Sequence, residues 1–165
     1  MEIEPAETDD LEAITDQWLG LAAEQLQHGS HLRVSENREA IRMALARHVA
    51  EGTALVARAD GIAGFVSFEI VDGVFEERVT RGRIQNLYVD PRWRDRGVGS
   101  ALLDAAEDAL AEAGADRIAV EAMVPNDDAR RLYESRGYEP HRIEYERPAG
   151  DDTRTRSDTQ TRDDG

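Results

Sequence analysis

The chain has 165 residues, 40% of them hydrophobic, which is enough for one domain with a sizeable core. It carries 35 acidic against 20 basic residues, a formal net charge of −15, and a surface of that sign repels nucleic acid and anionic membranes. With no cysteine, disulfides, thiol catalysis and Cys-ligated zinc are excluded, and no apolar run approaches the length that spans a bilayer.

All the basic residues are arginine. The segment after Arg147 holds five Asp and three Arg, so most of the negative charge lies in the part expected to fold. Self-repulsion on that scale weakens a compact state unless salt screens it, and with lysine absent the composition reads as halophilic. The first residues, MEIEPAETDD, have no apolar signal core, so the chain reads as cytoplasmic.

MEIEPA is expected to be a short strand. Asp9 and Glu12 have capping-box spacing, and Leu11, Ile14, Trp18 and Leu21 recur at helical spacing, so a helix is expected from Asp9 to Gln27. HGSHLRV is a loop. Ser35 can cap a second helix with Ile41, Ala44, Leu45 and His48 on one face, stopped by Gly52. TALVAR and IAGFVSFEIV are strand-like, joined by a hairpin signal at Asp60-Gly61. After a further turn at Asp72-Gly73, VFEERVTRG is expected to be extended, and RIQNLYV to be a strand ended by Pro91. Gly97 through Ala113 reads as a helix burying Val98, Ala101, Leu102, Ala105 and Leu110, with Gly114 at its C-cap. RIAVEAMV is a strand, DDARRLYESR a helix capped by Asn126 or Asp127 and ended by Gly137, and HRIEYER a last strand. PAGDDTRTRSDTQTRDDG has the composition of a disordered tail. The domain is therefore expected to span 1–147, with an acidic polar tail over 148–165. Its class is α/β, of the α+β mixed-sheet kind, with helices on both faces.

The stretch VDPRWRDRGVGSALL joins a strand to a helix through an arginine-rich, glycine-bearing loop. A helix N-terminus presents free N–H groups and partial positive charge. Gly97 and Gly99 leave that backbone open, and Arg92, Arg94 and Arg96 add charge, which suits a pyrophosphate. No G-K-[ST] follows, and Leu102 stands where a dinucleotide fingerprint needs glycine. The two histidines of HGSH lack a third ligand of matching spacing, so no metal site is expected.

Arg94-Asp95-Arg96-Gly97-Val98-Gly99 resembles the R/Q-x-x-G-x-G/A acyl-CoA loop of the GNAT superfamily of N-acetyltransferases. Asn126-Asp127-Asp128-Ala129-Arg130-Arg131-Leu132-Tyr133, followed by Gly137-Tyr138, resembles that family's second motif. The resemblance implies a mostly antiparallel sheet whose central strands splay apart, acetyl-CoA as cosubstrate, and an amine acceptor, either a small molecule or a peptide. From the surface charge no nucleic acid or membrane partner is expected, and the resemblance is compatible with a homodimer. It places the pantetheine along Leu87, Tyr88 and Val89 and the pyrophosphate on the amides from Arg94 through Asp95, Arg96, Gly97, Val98 and Gly99 to Ser100. Asn126 and Ala129 lie nearby in the second motif, and Tyr133 falls at the position of the acid that protonates the departing thiolate.

The resemblance departs at Gln85, near which many members carry a glutamate base. Glu69, Glu121 or a water held by Asn86 are the alternatives. Asp95 stands where the family often has glycine. Direct transfer in a ternary complex follows from the absence of cysteine. The rival reading is a non-catalytic acyl-CoA-binding sensor or regulatory module of the same fold.

Overall fold

The computed structural model describes residues 1–73 and 75–150. Met1–Leu132 forms one compact unit, and a second begins at Tyr133.

Among the described residues, five strands follow one another across a single sheet: β1 (Glu2–Pro5), β2 (Ala54–Ala59), β3 (Gly61–Ile70), β4 (Arg81–Val89) and β5 (Arg117–Val120). Every pairing is antiparallel except that of β4 with β5. Three helices cover the sheet: α1 (Leu11–Leu26) and α2 (Arg38–Glu51) precede β2, and α3 (Val98–Glu112) links β4 to β5. A fourth, α4 (Asp127–Ser135), follows β5. The Asp60-Gly61 hairpin forms as expected, with Ala59 opposite Gly61.

Each helix exists because its apolar positions fall on one stripe. In α1 the buried residues are Leu11, Ile14, Thr15, Trp18 and Ala22, and they pack with Leu45 of α2 on Val56, Phe65 and Tyr88 of the sheet. In α3 they are Val98, Leu102, Leu103, Ala106 and Leu110. Alternation along the strands gives the opposite face of the sheet to this helix. Leu102 lies over Gly64, and Leu110 fills the space left by Gly82.

Several boundaries differ from expectation. The start of α1 is stapled by Asp10, whose carboxylate accepts the Glu7 N–H at 2.8 Å, instead of by Asp9 and Glu12. Ser35–Asn37 is a single tight turn, and α2 begins at Arg38 without a side-chain cap. VFEERVTRG forms no strand over its described residues before Arg81, where β4 begins; Val74 lies outside them. The strand predicted for RIAVEAMV stops at Val120, and HRIEYER forms none. Alternating side chains define a strand only when a neighbour completes its hydrogen bonds, and Ile143 and Tyr145 stand largely exposed. The predicted tail lies outside the described residues from 151 onward.

One ion-pair network ties β1, β2 and the start of α1 together. Arg58 bonds Glu4 and forks onto both oxygens of Asp10 at 3.0 and 2.8 Å. The hydrogen bonds from Arg58 hold the nearly buried Asp10 carboxyl below its usual range. Asp10→Asn should cost about 1–2 kcal/mol, since Arg58 is itself partly exposed and screened. A carboxylate with a lowered folded pKa stabilises fully above its unfolded value near 4 and loses that as pH falls through the folded value. Urea melts of both proteins should therefore differ at pH 7 and converge as the pH drops below about 4.

Candidate active site

The pairing of β4 with β5 runs only from Arg81 opposite Arg117 to Ile84 opposite Val120. Beyond Ile84, β4 continues to Val89 with β3 on one side and, among the described residues, no ladder on the other. The Asp90 N–H turns toward β3 and bonds Ala63 at 2.8 Å. Alternation along an extended strand then turns the peptide groups of Val89 and Leu87 to the open side. The splay expected between the central strands is thus present, and it leaves backbone donors and acceptors where an extended chain can pair with them.

The loop after β4 opens toward the same place. Pro91–Trp93 makes one tight turn, capped by the Asp90 carboxylate on the Arg92 N–H. Asp95 then takes a left-handed conformation at φ 61°, and Gly97 follows at φ 80° as the residue before α3. Aspartate tolerates that region better than most residues, which is why it can stand where glycine is usual. Gly97 gives α3 no side-chain cap, and the first turn holds no acidic residue. The earliest amide to find a helical acceptor is that of Ala101, on the Gly97 carbonyl at 3.0 Å. The N–H groups of Val98, Gly99 and Ser100 are therefore left for an outside acceptor. A Cβ on Gly99 would meet Val89 at an ordinary 3.6 Å, so packing within the fold does not demand glycine there.

The three loop arginines are not equivalent. Arg92 returns to Asp90. Arg94 folds back across the strand end: its Nε donates to the Val89 carbonyl at 2.9 Å, a terminal nitrogen reaches Glu24 at 2.6 Å, and its guanidinium lies 5.4 Å from the centre of the Tyr88 ring. Arg96 stacks on Trp93 at 5.2 Å and has no carboxylate partner among the described residues. Of the three, Arg96 is the one whose charge is not already neutralised by an acid of the loop or α1.

A cleft of about 370 Å³ opens between α2 and the middle of β4, lined among others by Arg47, His48, Arg83, Gln85, Asn86 and Glu121. A β-bulge builds its floor: Ser67 faces Asn86 and Phe68 faces Ile84, leaving Gln85 as the extra residue. The bulge breaks the alternation, so the adjacent Gln85 and Asn86 both line the cleft. Asn86 donates to Ser67 Oγ at 2.9 Å. His48 is buried at 3% exposure, with Nδ1 2.7 Å from Thr53 Oγ1. The turn at Gly52, φ 75°, sets this up by letting the Thr53 N–H reach back to the His48 carbonyl. Burial pushes the imidazole pKa down, partly opposed by its hydrogen bond with Gln85, so His48 is neutral at pH 7.

Of the carboxylates singled out in the sequence, Glu121 lines this cleft. Glu69 sits opposite Arg83 across β3 and β4 and is not part of the lining. Asn126 caps α4, its side-chain oxygen accepting the Ala129 N–H at 3.2 Å. Tyr133 belongs to the second unit, where its ring meets Tyr138 edge-on at 5.9 Å and burial pushes its phenol pKa up. Sequence reasoning passed over Arg47, His48 and Arg83 as site residues. His48 was visible only as one member of a helix face, and Arg83 only as the strand neighbour two places before Gln85.

This architecture recurs in known acetyltransferases. The family described as Acetyltransferase (GNAT) matches residues 14–138. A GCN5-related N-acetyltransferase from Ralstonia eutropha superposes with a TM-score of 0.72 at 25% identity, over 90% of this chain and 99% of that one. The BH1408 protein of Bacillus halodurans, as a tetramutant, gives a TM-score of 0.75 at 20% identity over the same shares, a likeness of fold. Among curated proteins, a mycothiol acetyltransferase from Beutenbergia cavernae is 44% identical over 59 residues, 36% of this chain; the chain spans about a fifth of that relative's length. The class is therefore that of the acyltransferases. The chain belongs to the acetyltransferase (GNAT) family.

Proposed function

We propose that the protein moves the acetyl group of acetyl-CoA directly to a primary amine within a ternary complex. The observation that carries this reading is the coincidence of two openings. β4 loses its β5 partner after Ile84, and the uncapped start of α3 follows the same strand. Acetyl-CoA supplies the activated thioester. Leu87, Tyr88 and Val89 would align its pantetheine arm, and a backbone N–H at Leu87 or Val89 would polarise the thioester carbonyl. The amides of the Arg94–Ser100 loop would hold the pyrophosphate, with those of Val98, Gly99 and Ser100 best placed. Asn126 and Ala129 would flank the arm. Arg94 would have to leave the Val89 carbonyl for that atom to pair with the arm.

Glu121 is the better base, because it lines the cleft with Gln85 and Asn86 while Glu69 does not. It would take the ammonium proton directly or through a water on Asn86. Tyr133 would return a proton to the thiolate, and its raised pKa keeps the phenol protonated for that task. The catalytic domain is taken as 1–147. The acidic, lysine-free composition supports a high-salt cytoplasm as its setting.

Calorimetric titration with acetyl-CoA tests the donor site. Gly99→Ala should bind much as the wild type does, whereas Gly99→Glu, placing a carboxylate at the free amides, should bind about tenfold more weakly or worse. Equal affinity in Gly99→Glu would remove the pyrophosphate from this loop. CoA release in the presence of a panel of amines separates an enzyme from a binding module.

A further inference from the structure

Resting on that acetyltransferase reading, we infer that the acceptor is a small primary amine bearing a carboxylate, with Arg83 and Arg47 holding the carboxylate and Glu121 facing the ammonium. The cleft beside the bulge carries two arginines against one glutamate, and its histidine is neutral. The lining itself thus holds one more cation than anion in a chain of formal net charge −15, with Glu69 and Glu51 acting on His48 from outside it. None of Arg47, Arg83 and Glu121 forms an ion pair among the described residues. Elsewhere Arg38, Arg42, Arg58, Arg92 and Arg94 are each matched to an acid, while Arg96 of the loop is not.

Arg83 is the stronger of the two signs. Its Nε is buried and lacks a hydrogen-bond partner. A buried donor on a cation is costly when unmet, and a guanidinium fork meets a planar carboxylate through two parallel bonds. Glu69 stands directly opposite on β3, the obvious internal partner, yet makes no ion pair with it. The other charged groups of the lining are Arg47 on α2 and Glu121 just past β5, while Glu69 and Glu51 act on His48 from outside it. An acceptor with only cationic groups would meet two arginines at their own sign. A zwitterion answers both signs, and about 370 Å³ is room for one small molecule.

The test compares acetyl-CoA turnover on α-amino acids and on their carboxamides, at fixed ionic strength, in the wild type, Arg83→Gln, Arg83→Lys and Arg47→Gln. In the wild type, kcat/KM should favour the carboxylate over its carboxamide by about tenfold or more. Arg83→Gln should bring that ratio to within about twofold of unity through KM, Arg83→Lys should restore part of it, and Arg47→Gln should lower it. A wild-type ratio at or below unity, or one unchanged in Arg83→Gln, overturns the inference. If no amine is acetylated, saturation-transfer NMR with the same amino acids decides separately. Binding that is lost in Arg83→Gln upholds the carboxylate site and sinks the catalytic reading; no binding sinks the carboxylate site.

Discussion

Tyr133→Phe should lower kcat by about 10²-fold or more while the Kd for acetyl-CoA stays within about twofold. A proton arriving as the C–S bond breaks spares the departing sulfur a full negative charge in a site closed to water, and only the hydroxyl is removed by this substitution. The remaining ring keeps its edge-on contact with Tyr138, so the effect should fall on turnover and spare folding. The pH profile gives an independent check. An acid must be protonated to work, so activity falls as pH rises through its pKa. Burial raises the Tyr133 pKa, so the wild-type alkaline limb set by this group should lie above the ordinary phenol value near 10. That limb should be missing in the phenylalanine variant. Wild-type turnover in Tyr133→Phe would take the acid role away from this residue.

Gly64→Ala should be the most destabilising single methyl in the chain, at about 3 kcal/mol or more. A Cβ there would fall well inside van der Waals contact of the Tyr88 carbonyl oxygen, and it would lie 3.2 Å from both Val89 Cα and Leu102 Cδ1. Two of these atoms are backbone, so relief requires β4 to move. Gly20→Ala is the instructive comparison. Its Cβ would meet the Tyr88 hydroxyl at 2.8 Å, but that is the tip of a side chain able to turn aside. For a chain of this size, the Gly64 variant should melt about 6–12 °C lower, and Gly20→Ala should lose clearly less. Because Val89 borders the open side of β4, whatever Gly64→Ala protein folds should also show a raised KM for acetyl-CoA. A melting point within about 2 °C of the wild type would show that the strands separate at little cost.

Much of the proposed donor side was legible in the chain itself. A strand, a glycine-bearing turn and a helix are consecutive in sequence, and the properties that matter there are local: uncapped amides, left-handed residues and the stop at Pro91. Asp95 illustrates this, since its φ of 61° accounts for glycine being usual at that place. The apolar stripes of α1 and α3 were equally readable, because 3.6-residue periodicity is a property of one segment.

The cleft proposed for the acceptor was not legible, because it is made from α2, the bulge of β4 and the end of β5, segments tens of residues apart. Nothing in RIQNLYV announces that Gln85 is an extra residue, yet that single register shift turns both Gln85 and Asn86 into the cleft beside His48 and Arg83. The choice between Glu69 and Glu121 likewise needed three dimensions. Both are strand-like glutamates in sequence, and only Glu121 reaches the cleft. HRIEYER went wrong in the opposite direction: its alternation is genuine, but a strand is completed by a neighbour's hydrogen bonds, which no segment encodes for itself. The sequence by itself determined the family, the loop proposed to hold the pyrophosphate and the helices, because each rests on contacts between near neighbours along the chain. Only the tertiary structure decided where β4 and β5 part and which charges face each other, because pairing between distant strands sets both.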